Sequence, residues 1–138
     1  MNAFKEKFRI DELSIQEFKY WIVSLRPKQP TLGSLILSLK RECSSLGELT
    51  TTESLEMGEV FKYIENILNK SFKPDKINYL VLMMIDHQVH FHIIPRYKNY
   101  RIFNNITFVD KCWPKPPNIL LDNSEELDLT KLLTELKK

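Results

Sequence analysis

All three histidines of this 138-residue chain fall within residues 87–92, in the stretch Asp86-His87-Gln88-Val89-His90-Phe91-His92-Ile93-Ile94-Pro95-Arg96-Tyr97. Its β-branched and aromatic residues predict a strand, whose side chains alternate between two faces. Gln88, His90 and His92 then share one face, while Val89, Phe91 and Ile93 share the other and require a core to meet. His87 is out of phase with the other two histidines. A chain with such a strand must build a sheet with one greasy side and one side that presents two imidazoles.

Two imidazoles on a sheet face admit several chemistries. They serve as ordinary polar residues on a solvated face, as two ligands of a zinc ion, or as a nucleophile with its neighbour. A zinc site needs a third ligand from elsewhere, with Cys43, Cys112 or a carboxylate as candidates, and no CxxC or HExxH spacing occurs in the chain.

The remaining elements follow from periodicity and punctuation. Residues 12–15 and 20–25 read as strands, the second apolar on both faces and therefore buried. Residues 26–33 contain two prolines and a glycine and read as a loop carrying Arg26 and Lys28. Residues 34–41 alternate again, with Leu35, Leu37 and Leu39 on one face. Thr50 and Glu53 have the capping-box spacing, and Met57, Val60, Phe61, Ile64, Ile67 and Leu68 follow in one apolar stripe, which predicts a helix to about residue 70. Residues 77–85 are almost wholly apolar and predict a strand central to the sheet. Residues 3–8 read as a short helix or an unpaired arm, and residues 102–109 as one further strand. The proline-rich segment after Asp110 reads as a surface arm anchored by Trp113, and Leu129, Leu132, Leu133 and Leu136 predict a closing amphipathic helix from about Asp128. This order suits an α+β fold, an antiparallel sheet with a helix packed on one face.

Composition excludes several function classes. With 43% hydrophobic and 28% charged residues the chain is not disordered. A net charge of +2, from 20 basic and 18 acidic residues, gives no electrostatic case for binding a nucleic-acid polymer. Two cysteines make no disulfide framework, no apolar run reaches membrane-spanning length, and the N-terminus has no signal-peptide core, so the expectation is a cytoplasmic protein.

The run His90-Phe91-His92-Ile93-Ile94-Pro95-Arg96 resembles the end of the signature of the histidine triad (HIT) family, and Pro30-x-x-Gly33-x-Leu35-Ile36-Leu37-x-x-Lys40-Arg41 looks like its second landmark, a glycine-led strand ending in basic residues. The resemblance spans roughly residues 10–97, which makes residues 1–138 a single HIT-like domain with a C-terminal extension over 98–138. It implies that His90 is the nucleophile and His92 the third triad residue, with Gln88 in place of the first histidine. One register step sends a strand side chain to the opposite face, so His87 does not substitute for it. Ser34 stands where the family commonly has histidine, and the polar, glycine-bearing loop that many members insert before the histidines is missing. The implied activity is hydrolysis or transfer at the α-phosphate of a dinucleoside polyphosphate, such as diadenosine tetraphosphate, or of a nucleoside phosphoramidate. A nucleotide-binding or regulatory protein with little turnover is the alternative. Catalysis would rest on His90, His92 and Gln88, and substrate binding on Arg26, Ser34 and Lys40, with no metal or other cofactor. The implied partners are a small nucleotide and a second copy of the chain, as a homodimer.

Overall fold

The computed structural model describes residues 1–138, and its centre is a five-stranded antiparallel sheet. Helix α1 (Asn2–Phe8) precedes strands β1 (Ser14–Glu17), β2 (Trp21–Leu25) and β3 (Leu35–Leu39). The long helix α2 (Thr51–Ser71) leads to β4 (Lys76–Leu80) and β5 (His90–Arg96). A separate hairpin, β6 (Arg101–Phe103) and β7 (Ile106–Phe108), and helix α3 (Leu129–Leu136) complete the chain. The sheet order is β1-β2-β3-β5-β4, so the histidine strand β5 lies between β3 and β4.

Alternation assigns the two faces as the sequence predicts. Leu35, Leu37 and Leu39 of β3 and Val89, Phe91 and Ile93 along β5 join the main core, where Val60, Ile64 and Leu68 of α2 pack against them. Each such side chain stabilises the fold by about 1.5–3 kcal/mol on burial. The start of α2 is fixed locally: Thr50 and Glu53 exchange both capping-box hydrogen bonds, and Glu53, itself buried, also holds Arg41 at 2.7 Å. That ion pair ties the end of β3 to the helix start. Gly33 has φ +86, a left-handed conformation, and a Cβ there would lie 3.3 Å from both Leu68 and Phe72, so the turn before β3 requires glycine.

Three sequence expectations are corrected. Residues 77–85 are not a central strand: β4 ends at Leu80, pairs with β5 alone and forms an edge of the sheet. Met83 turns the chain with φ 49, leaving Leu82, Met84 and Ile85 exposed. Apolar composition signals a surface that seeks contact, and it does not say that this chain's own sheet supplies it. Residues 102–109 form a hairpin rather than one strand, turning at Asn104 and Asn105 with φ 51 and 64. Asparagine tolerates the two left-handed positions that a tight hairpin demands. Trp113 is only partly buried and lies outside the core. The arm is held instead by Arg96, which pairs with Asp110 at 2.7 Å and donates to the Lys115 carbonyl at 2.8 Å. Asn123 donates to the carbonyls of Gln29 and Pro30, and α3 buries Leu132 and Leu136 as predicted.

Candidate functional site

His90 and His92 are brought together by the pleat of β5, with ring centroids 4.9 Å apart. Across β3 they sit opposite Ser38 and Ile36 respectively. Neither histidine is exposed as a bare sheet face implies, since their relative exposures are 1% and 5%. The cover is α1. Phe4 and Phe8, four residues apart and hence on one side of a helix, bury with Ile10, Ile22 and Ile36 on this face of the sheet. The Phe4 ring lies 4.9 Å from His90, and Phe8 lies 5.8 Å from His90 and 6.2 Å from His92. Lys7 on the same helix pairs with Asp86 at 2.8 Å, tying α1 to the segment that leads into β5. The Phe4/Phe8 spacing was the only sequence signal for this cover.

A cavity of about 300 Å³ opens onto both imidazoles. Its walls are Lys7 and Phe8 of α1, Arg26 to Lys28 after β2, residues 82–86 before β5, and Ile119 and Leu120 of the C-terminal arm. The last two groups carry no motif and were not anticipated.

The hydrogen bonds of the imidazoles define their chemistry. His90 Nδ1 is bonded to the Gln88 carbonyl oxygen, which can only accept. The proton therefore sits on Nδ1, and Nε2 keeps its lone pair. His92 Nδ1 has no hydrogen-bond partner. Burial lowers both pKa values, that of His92 to about 4, where the neighbouring His90 and the positive charge of Arg26 act in the same direction. Both rings are thus neutral near pH 7, the state in which an imidazole is a nucleophile. No group of three His, Cys, Asp or Glu residues is placed to complete a metal site around them.

The other predicted site residues divide sharply. Arg26 lines the cavity, buried and adjacent to the histidines. Ser34 is fully buried in the turn before β3, its hydroxyl donating to the Thr31 carbonyl, and it does not reach the cavity. Lys40 pairs with Glu17 at 2.7 Å and donates to the Phe18 carbonyl, also outside the cavity. His87 is exposed, because it precedes β5, which begins at His90. Gln88 is buried but does not touch an imidazole through its amide. Its Nε2 donates to the carbonyls of Leu39 and Arg41 at 2.9 and 2.8 Å, and its Oε1 accepts the Cys43 amide at 3.0 Å. The side chain expected to share in catalysis with the histidines is committed to stitching the end of β3 to the start of β5. Its contribution to the site comes through its backbone carbonyl on His90.

Replacing Gln88 with alanine therefore leaves one buried amide and two carbonyls without partners. A stability loss of about 1–3 kcal/mol is expected in urea unfolding, the penalty for an unsatisfied buried group. Unchanged stability would show that the stitching by this amide is unimportant.

No protein-family model and no curated protein matches the sequence. Solved structures do match the fold. A histidine triad protein from Bradyrhizobium japonicum aligns over 94% of this chain and 92% of its own, with a TM-score of 0.66 at 19% identity. One from Sinorhizobium meliloti aligns over 93% and 90%, with a TM-score of 0.67 at 20% identity. The fold is that of the histidine triad proteins. A hypothetical histidine triad nucleotide-binding protein from Sulfolobus tokodaii, 16% identical, superposes equally well with a TM-score of 0.67 over 91% and 80% of the two chains. In this HIT-like fold the imidazoles of β5 face α1 and the cavity, on the side of the sheet away from α2. No helix is long and apolar enough to cross a membrane.

Proposed function

We propose that this protein is a HIT-type nucleotide hydrolase or transferase that cleaves the α-phosphate bond of a dinucleoside polyphosphate or a nucleoside phosphoramidate. The observation that carries this reading is the fixed tautomer of His90: with Nδ1 bonded to the Gln88 carbonyl, a neutral ring holds its Nε2 lone pair beside a cavity large enough for part of a nucleotide. The lone pair forms a bond to the α-phosphorus, and the bond to the leaving group breaks with its electron pair departing on that group. Water, or another acceptor in a transferase, then displaces the imidazole from phosphorus, loses its proton and restores His90. His92, neutral and lacking a partner on Nδ1, is suited to contact a phosphate oxygen or the departing group. The reading requires no metal or other cofactor.

A second reading, a nucleotide-binding or regulatory protein with little turnover, is favoured by one observation: His90 is 1% exposed beneath Phe4 and Phe8, so little of the ring is open to a phosphate. The homodimer belongs to the same proposal, and the free outer edge of β4 supports it, since an unpaired edge is a template for a second sheet. A small nucleotide in a cytoplasmic setting is the partner this reading implies.

Incubation with a panel of dinucleoside polyphosphates and nucleoside phosphoramidates, read as release of nucleoside monophosphate, tests the proposal. Turnover of either class supports it. Binding without turnover across the panel would favour the second reading.

A further inference from the structure

Arg26 is an anomaly among the arginines of this chain. Arg9, Arg41, Arg96 and Arg101 each have a carboxylate oxygen within ion-pairing distance, at Glu12, Glu53, Asp110 and Asp75. Arg26 has none, although only 7% of its surface is exposed. Its Nη1 and Nη2 donate to the carbonyls of Lys28 and Ile119 at 3.0 and 3.4 Å, while Nε has no partner. Asp122 acts on Arg26 only through space: its charge favours the guanidinium, but its carboxylate accepts the backbone amides of Gln29 and Ser124 and makes no ion pair with Arg26. A guanidinium cannot shed its proton to escape such burial, and a buried charge without a contacting counter-ion is costly, so the arrangement has room for an anion in direct contact that this chain does not place there.

The surroundings show where that anion would lie. Arg26 is on the cavity wall, close enough to both imidazoles that its charge opposes their protonation. Three cations, Lys7, Arg26 and Lys28, line the cavity against a single carboxylate, Asp86, and Asp86 is already paired with Lys7. Lys28 is exposed at the same wall. The rest of the lining is largely apolar, including Leu82, Met83 and Ile119, which strengthens a charge interaction by excluding water.

We infer that Arg26, assisted by Lys28, is the specificity-determining seat for the phosphates beyond the α-phosphorus, and that the site selects substrates whose leaving group is itself a phosphate over those that release an uncharged amine. The selectivity rests on the proposed attack by His90; the anion seat stands apart from it. When a phosphate leaves, the P–O bond breaks and the electron pair stays on the departing oxygen, so negative charge grows where a fixed guanidinium stabilises it. When an amine leaves, the P–N bond breaks and the amine nitrogen takes up a proton from solvent water, a step that the fixed charge of a guanidinium does not assist.

Two measurements test the inference. The first is calorimetric binding of inorganic tripolyphosphate, which involves no turnover. The wild type should bind it, Arg26→Gln should weaken binding by about ten- to a hundredfold, the equivalent of one or two charge-assisted hydrogen bonds, and Arg26→Lys should weaken it less. Lys28→Gln, on an exposed side chain that does not endanger folding, should weaken it severalfold. Absence of tripolyphosphate binding to the wild type, or equal binding by folded Arg26→Gln, would overturn the seat whatever nucleotides are cleaved. The second is the ratio of kcat/KM for a dinucleoside tetraphosphate to that for a nucleoside phosphoramidate with a neutral amine. Arg26→Gln and Lys28→Gln should each lower this ratio, the former by at least about tenfold. A ratio unchanged in both variants would overturn the selectivity, while failure of every nucleotide to react alongside normal tripolyphosphate binding would sink the hydrolase reading and leave the anion seat standing.

Discussion

Replacing His90 with alanine is expected to reduce nucleoside monophosphate release by at least about a thousandfold, the usual consequence of deleting a covalent nucleophile. The same substitution also affects the fold, because His90 is 1% exposed and lies under the rings of Phe4 and Phe8. Removing the imidazole leaves a gap beneath α1, so the melting temperature should fall as well, and activity must be compared at a temperature where both proteins are folded. A label that reports on chemistry alone removes this ambiguity. After a substrate pulse, denaturing mass spectrometry under alkaline conditions should find a nucleotidyl adduct on His90 and on neither His87 nor His92. A variant that keeps more than about a tenth of the wild-type rate would end the assignment of His90 as nucleophile.

The largest effect on stability is expected from Asp110→Ala. Asp110 and Arg96 form an ion pair in which the side chains are 2% and 4% exposed, and Asp110 also accepts the backbone amide of Tyr97. Losing the carboxylate strands a guanidinium in the interior, a change that costs about 3–5 kcal/mol. The damage should reach the C-terminal arm, because Arg96 also binds the Lys115 carbonyl and aligns the segment that brings Ile119 and Leu120 to the cavity. Urea unfolding measures the loss. The double substitution Arg96→Met with Asp110→Leu should recover a large part of it, since two apolar side chains leave no charge to solvate. A loss below about 1 kcal/mol in Asp110→Ala would mean that the pair is not the fastening of the arm.

Much of this molecule was legible in the order of its residues. The capping box at Thr50 and Glu53, the apolar stripe of α2, the alternation that puts Phe91 and Ile93 in the core and His90 with His92 on the opposite face, and the leucine spacing of α3 are all present as predicted. Each depends on side chains within a few residues of one another, where the periods of helix and strand govern which neighbours share a face. The tertiary structure decided matters of a different kind. It made β4 an edge, turned residues 82–85 out of the sheet to wall a cavity, committed Gln88 to backbone atoms of Leu39, Arg41 and Cys43, and took Ser34 and Lys40 away from the histidines. It also laid α1 over His90 and left Arg26, alone among five arginines, buried without a carboxylate. Several of those outcomes depend on partners 45 or more residues away, as with Gln88 and Cys43 or Lys7 and Asp86. Hydrogen-bonding capacity and charge can be read from one residue, but which distant group satisfies them is set only when the packed chain brings the two together.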